Sequence, residues 1–355
     1  MDHYDIRARI TITDKNVCLS GYRPAHLIGN YLTTGVHTYI GADSLKNGQS
    51  TEGYVTFISP EHYPHSISVG DRIPFQDGSK TVGFIEVLEI YNGLLNANKE
   101  LLLYSEYEQF YKMAENSHAF RSFCKDAFGD DLSQDGFSDL NQVNRILDLI
   151  PAGEDIHILD IGCGNGKMLG YLQKRTNAYI HGFDYSANAI NTAKKLFQTN
   201  ADFRHGVIGE TDYAPRQFDL ITSMDTMYFA PDMERFLLQI IRWLKDDGIL
   251  FVCYQEGDIM PKTEDHYTTV LAQALLKNHI CFETEDITKE TYDLLKKKRE
   301  TALLYQQDFE SEGNKDWFDL LMLQTDCVVE PFDVFAGKMA RYIYIIRKPK
   351  QDQAG

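Results

Sequence analysis

The chain has 355 residues, 43% of them hydrophobic, and a formal net charge of −17; that length accommodates roughly two domains of about 150 residues, and the acidic balance repels a polyanion at long range unless a basic patch overrides it. It holds no apolar run long enough to span a bilayer, and its first residues lack the apolar stretch of a secretory signal, so a cytoplasmic protein without a membrane segment is expected. Six scattered cysteines with no C-x-x-C fit free thiols in a reducing compartment.

Residues 1–93 alternate apolar and polar positions over Ile6 to Ile12, Tyr54 to Ile58 and Val82 to Ile90, with turn signals at Leu45-Lys-Asn-Gly48, Ser68-Val-Gly-Asp71 and Gln76-Asp-Gly78. That pattern predicts a small antiparallel β-barrel. At Gly21-Tyr-Arg-Pro24, Tyr31-Leu-Thr-Thr-Gly35 and Asp77-Gly-Ser-Lys-Thr-Val-Gly83 the segment resembles the C-terminal β-barrel domain of elongation factor Tu. No GTPase domain accompanies it, so nucleotide hydrolysis does not carry over. The segment counts seven lysines and arginines against ten acids, which disfavours RNA and favours packing, dimerisation or substrate covering. His62 and His65 form H-x-x-H around Pro64 without a further ligand cluster, so no metal site is expected.

From Asn96 to Ile150 the spacing turns helical, through Leu101, Leu102, Tyr104, Tyr107, Phe110, Tyr111, Phe120 and Phe123. A break at Gly129 to Gly136 precedes a further helix over Leu140 to Leu149. Residues 94–150 are therefore read as a helical cover and linker, with amphipathic packing the plain role of each aromatic.

Ile158-Leu-Asp-Ile-Gly-Cys-Gly-Asn-Gly-Lys-Met-Leu169 reads as a buried strand, a tight turn and the start of a helix, with a ligand expected over the helix N-terminus. Spacing discriminates among ligands. A phosphate-binding loop, G-x-x-x-x-G-K-[ST], would put its first glycine at Ile161 and its hydroxyl at Met168, so ATP and GTP are disfavoured. A dinucleotide loop, G-x-G-x-x-G, wants its third glycine three residues after the second, and here it follows after two. With Asp160 before the first glycine, the pattern resembles motif I of class I S-adenosylmethionine-dependent methyltransferases. The resemblance implies S-adenosyl-L-methionine as cofactor, Asp160 holding the amino group of its methionyl part, and Gly162, Cys163, Gly164 and Gly166 lying against it.

Ala178 to Asp184 supplies a second strand ending in an acid about 20 residues on, which makes Asp184 the expected ribose ligand; Tyr185 follows as a further cofactor contact. Strands near Asp202 to Val207, at Phe218 to Thr222 and at Gly248 to Cys253, with a helix from Met233 to Leu244, continue an α/β alternation. Glu283 to Ile287 and Arg341 to Arg347 are the expected sixth and seventh strands, the last antiparallel. Many relatives place an adenine-binding Asp near position 207; this chain has Val207-Ile-Gly-Glu-Thr-Asp, leaving Glu210, Asp212 or a backbone carbonyl for that task. The fold expected for residues 151–349 is a Rossmann-like seven-stranded methyltransferase sheet with a helical insertion at about 288–340. The basic run Lys296 to Arg299 in that insertion reads as a solvated helix face.

In this architecture the segment Ser223 to Phe229 faces the transferred methyl, giving Ser223 as a cofactor contact, Asp225 as a base or amine ligand and Tyr228 as an acceptor contact. Tyr107, Tyr111 and Phe137 are the cover residues expected on the acceptor. There is no Asn-Pro-Pro-Tyr and no Pro-Cys nucleophile, which demotes nucleic-acid base modification. The reading is a methyltransferase acting on N or O of a small molecule, with a homodimer left open. Two other classes remain: a methyltransferase for a translation component, docked by the barrel, and a cofactor-binding protein without turnover.

Overall fold

The computed structural model describes residues 4–97, 103–133 and 135–348. Leu101 and Leu102, both singled out in the sequence, lie outside the described residues. The chain divides into two units between Tyr104 and Ser105.

In the first unit alternation decides the fold. β1 (Ile6–Ile12) buries Ile6, Ala8, Ile10 and Ile12, while Arg7 and Arg9 point outward and pair with Glu89 and Glu86 on the neighbouring strand. The other strands are β2 (Val17–Leu19), β3 (Ala25–Ile28), β4 (Tyr31–Tyr39), β5 (Ser44–Lys46), β6 (Ser50–Phe57), β7 (Arg72–Asp77) and β8 (Lys80–Ile90). Six of them close into a barrel in the order β1-β6-β4-β3-β7-β8, with β2 and β5 as a separate pair. Closure removes the open strand edges that would otherwise invite pairing with other chains. Strands β3, β4 and β7 are not apparent in the sequence. The reason is clearest in β4, whose inward residues are Thr33, Gly35, His37 and Tyr39, so its polarity does not alternate with its burial.

Those inward polar groups pair with one another. His26 and His37, both fully buried, meet Nε2 to Nε2 at 2.8 Å against Phe57 and Phe75. Gly35 makes the room, because a β-carbon there would stand 2.8 Å from the His26 ring. Burial holds the His26 imidazole down to about 3, offset slightly by the backbone of Pro24, and burial with the His26 neighbour holds His37 well below its ordinary value. Both rings are therefore neutral in the folded barrel but protonate near pH 6.5 when unfolded. Their contribution is complete above pH 6.5 and is lost progressively as pH falls below it, in the case of His26 down to about 3. At pH 5 His26 alone should cost about 2 kcal/mol relative to pH 7. Denaturant unfolding of the full chain at both pH values should show this loss, and His26→Leu with His37→Leu should flatten it.

The second unit opens with three helices, α1 (Tyr104–Asn116, its first residue ending the first unit), α2 (His118–Phe128) and α3 (Leu140–Leu147). The alternation follows: β9 (His157–Ile161), α4 (Lys167–Thr176), β10 (Tyr179–Asp184), α5 (Ala187–Leu196), β11 (Ala201–His205), β12 (Phe218–Met224), α6 (Met233–Trp243), β13 (Leu244–Glu256), α7 (Val270–Lys277) and β14 (Phe282–Asp286). The expected insertion comprises α8 (Thr288–Leu304), α9 (Gln306–Ser311), α10 (Lys315–Gln324) and α11 (Phe332–Lys338), and β15 (Ala340–Arg347) closes the order. The seven strands lie β11-β10-β9-β12-β13-β15-β14, with β15 antiparallel to both its neighbours. The connection reverses direction between β9 and β12, and such a switch point opens a crevice at the strands' C-terminal ends.

One face of the sheet packs Phe236, Leu237 and Ile240 of α6 and Leu271 and Leu275 of α7; the other packs Val143, Leu169, Leu172 and Ile190 from α3, α4 and α5. The two segments read separately as covers form one helical layer. Phe110, Phe120 and Phe123 share an apolar cluster with Leu294, Phe309 and Phe318. The basic run in α8 departs from expectation: Lys296 and Lys297 are exposed, but Lys298 is buried. Among the described residues no helix is long and apolar enough to cross a membrane.

Candidate active site

The strand β9 ends in Asp160 and Ile161, and the chain then turns sharply because Gly162 and Gly164 adopt φ of 71° and 53°. Both positions are crowded as well as left-handed. A β-carbon on Gly162 would stand 2.7 Å from Thr226 Cγ2, and one on Gly164 would collide with the Tyr111 hydroxyl. The amides of Gly162 and Cys163 donate to the Phe183 carbonyl, each at 3.0 Å, and Gly166 opens α4. The Cys163 side chain is buried, with Sγ against Gly182, so only its backbone is available to a ligand on the loop.

Asp184 ends β10 beside this turn. Its Oδ2 accepts from the Gly164 amide at 2.9 Å and its Oδ1 from the Ser186 amide at 2.8 Å. Burial raises this carboxyl to about 6, against the lowering effect of those amides. Asp160 is also buried and accepts from Thr222 Oγ1 at 2.7 Å; burial, with the Asp184 charge adding to it, raises it to about 7. The two acids the sequence separates by a helix thus converge on one glycine turn.

Helix α1 closes over the same turn. Glu108 accepts from Ser186 Oγ at 2.6 Å, from the Asn188 amide at 3.2 Å and from Asn188 Nδ2 at 2.9 Å, so α1 is fastened to the N-terminus of α5. That attachment brings Tyr111 onto Gly164 and Tyr107 to 6.1 Å from the Tyr185 ring. Burial pushes the Tyr107, Tyr111 and Tyr228 phenols upward, yet each side chain retains accessible surface. The three side chains are therefore neither fully buried nor exposed.

At the end of β12, Ser223 Oγ and Thr226 Oγ1 lie 2.7 Å apart, and Thr226 Oγ1 donates to the Ile161 carbonyl. Asp225 has φ of 58° and is bound at both oxygens by Arg341, from Nε at 2.9 Å and from Nη2 at 2.7 Å. Arg341 further donates to Gln142 Oε1 at 2.7 Å, to Ser138 Oγ at 2.6 Å and to the Phe137 carbonyl. The Asp225 carboxylate is therefore engaged in a buried ion pair, and Phe137 is placed by its backbone. Sequence reasoning did not find Arg341 or Glu108. A charge opening an otherwise apolar strand was the available signal for Arg341; Glu108 gave none. Asp212, one of the acids considered for adenine, is occupied by Trp243 Nε1 at 2.7 Å, Gln239 Nε2 at 3.1 Å and Arg242; burial opposes these bonds but is outweighed, and the carboxyl falls to about 2. Among the described residues no group of His, Cys, Asp and Glu could hold a metal ion.

Residues 152–308 match the profile of a family described as Methyltransferase domain. This segment is thus similar in sequence to methyltransferase domains. The chain is 30% identical over 150 residues to a ubiquinone biosynthesis O-methyltransferase of Neisseria meningitidis, covering 40% of this chain and 62% of that protein. It is 30% identical over 117 residues to a phosphoethanolamine N-methyltransferase of Plasmodium falciparum, covering 32% of this chain and 44% of the relative. The chain thus spans less than two thirds of either relative's length. Among solved structures, a phosphoethanolamine N-methyltransferase of Haemonchus contortus superposes with a TM-score of 0.57 at 16% identity, over 76% of this chain and 64% of the other. A cyclopropane synthase of Mycobacterium tuberculosis superposes with a TM-score of 0.53 at 14% identity, over 68% of this chain and 98% of the other. These two likenesses show the fold of the methyltransferase domain. The β-barrel lies before the matched segment.

The Arg341–Asp225 pair gives a test of the domain's construction. Arg341→Met leaves a buried carboxylate without its partner and should lower stability by about 3–5 kcal/mol. Combining it with Asp225→Asn should recover part of that loss in denaturant unfolding; no recovery would show that the pair is not the source.

Proposed function

We propose that this chain transfers a methyl group from S-adenosyl-L-methionine to N or O of a small-molecule acceptor. The observation that carries the reading is the tie between Asp184 and the Gly164 amide at the sheet's switch point, which sets a carboxylate against a bare backbone turn. The residues fit the cofactor: the turn rejects side chains at Gly162 and Gly164, Asp184 would accept from the ribose hydroxyls, and Asp160 would hold the ammonium of the methionyl part. Tyr185 and the Ser223–Thr226 segment border the same turn. Bound S-adenosylmethionine supplies a methyl group already activated on a sulfonium.

What remains for the protein is alignment and exclusion of water. Holding acceptor and donor at near-attack distance supplies on the order of 7–11 kcal/mol, and Tyr107, Tyr111, Phe137 and Tyr228 form the walls that would do so. Asp225 serves here as a positioning residue through Arg341 rather than as a base. Tyr228, whose phenol burial keeps protonated, is a hydrogen-bond donor to the acceptor and not its base. The acceptor is therefore one that attacks without prior loss of a proton to this residue. Free cysteines throughout the described residues support a cytoplasmic location, and light scattering tests the homodimer that belongs to the same reading.

Titration calorimetry with S-adenosylmethionine and S-adenosylhomocysteine, with ATP and NAD as controls, tests the proposal directly; binding to neither of the first pair overturns it. Asp184→Ala should weaken cofactor binding by about 1.5–3 kcal/mol, the scale of hydrogen bonds to a charged group. Asp160 adds a pH signature. Free, it takes up a proton as pH falls through about 7; an ammonium beside it favours the ionised form, so binding below pH 7 expels that proton. Affinity should rise at least about tenfold from pH 6 to pH 8, and Asp160→Asn should remove most of the dependence, leaving the smaller share of Asp184, whose carboxyl is raised to about 6.

A further inference from the structure

Lys298 is a buried cation that lacks a counter-ion at contact distance. Its side chain projects from α8 with 2% of its surface exposed, in a helix whose neighbouring lysines are solvated. An ammonium has three hydrogens to donate, and the hydrogen-bond acceptor found for Lys298 is Gln324 Oε1 at 3.0 Å. Among the described residues it has no ion pair at contact distance, and the carboxylate whose charge acts on it is that of Asp135. The amide of Gln324 turns its other end to Asp135, donating Nε2 to Oδ1 at 3.2 Å, so a neutral group holds the lysine and the aspartate apart. The ring of Phe137 lies 5.9 Å from Nζ.

This group is linked to the residues assigned above to the acceptor. Phe137 is tied through its carbonyl to Arg341, which grips Asp225 at the end of β12. Asp135 keeps accessible surface and lies in electrostatic range of Tyr107, whose ring faces Tyr185. Burying a charge without a full set of partners is costly. A Lys–Gln–Asp link between α10, α8 and the loop before α3 would use one ammonium hydrogen and leave two. An anionic group brought against the ammonium would satisfy them.

We propose that Lys298 seats an anionic group, a carboxylate or a phosphate, of the methyl acceptor, so that the acceptor is a small acid. The proposal rests on the methyltransferase reading above and narrows its substrate class. Gln324 orients the ammonium, and Asp135 sets a limit on the negative charge that the site accepts.

The test uses the full chain saturated with S-adenosylhomocysteine, whose binding is first measured for each variant. Failure of that binding in the wild type would overturn the methyltransferase reading rather than this one. Thermal unfolding is then followed against inorganic phosphate and, separately, against benzoate, with methyl benzoate as the neutral control. One of the two anions should raise the melting temperature saturably while methyl benzoate does not, and which anion succeeds distinguishes phosphate from carboxylate recognition. Lys298→Met should weaken that anion by about 10- to 100-fold with cofactor affinity unchanged, and Lys298→Arg should retain most of it. If Lys298→Met does not fold, Lys298→Gln is compared in its place. A wild type indifferent to both anions overturns the proposal. So does an anion response that survives removal of the ammonium, because the lysine is then a structural link between helices.

Discussion

The architecture of the second unit depends on one buried guanidinium. Arg341 sits 1% exposed at the start of β15 and places its donors on Asp225, Gln142, Ser138 and the Phe137 carbonyl. A guanidinium carries five N–H groups, and a buried one is tolerable only when they are all matched. Matching them fixes three parts of the chain to one another: the last strand, the segment after β12 and the loop leading into α3. The side chains around the glycine turn keep their places because these parts cannot move independently.

What the sequence made legible follows from how far each piece of evidence extends along the chain. The parallel strands are near-continuous apolar runs, so β9, β10 and β12 could be located to within a few residues. The cofactor turn is contiguous, and the acid at the end of the next strand needed only a spacing rule. Groups brought in across the fold left no such trace. Arg341 meets a partner 116 residues away, and Glu108 bonds a serine 78 residues away. Asp225 illustrates the loss. Its place after the fourth strand suggested a base, whereas its occupied oxygens make it part of the framework. In the barrel the obstacle was chemical, because β4 turns threonine, glycine and histidine inward where a pattern search expects aliphatic side chains.

The helical layer shows how a surface of mixed charge conceals a structured interior. Aromatic residues of α1 and α2 interleave with Leu294 of α8 and with the aromatic residues of α9 and α10, each buried phenylalanine contributing about 1.5–3 kcal/mol. That apolar mass is what allows polar groups such as Glu108 and Gln324 to be held at defined positions. The same basic run presents Lys296 to water and Lys298 to the interior, a contrast decided by helix periodicity and not by composition.

The order of strands also bears on where this chain can be cut. The segment recognisable as a methyltransferase domain ends at residue 308, but β13 is sandwiched between β12 and β15, and β15 begins at Ala340. A fragment stopped at the recognisable boundary would expose a thirteen-residue, mostly buried strand as a bare sheet edge, the kind of edge that templates aggregation. It would also discard Arg341 and strip the phenylalanines of α2 of their partners in α9 and α10. The unit that folds is longer at both ends than the unit that sequence comparison outlines, and excision for expression has to follow the former.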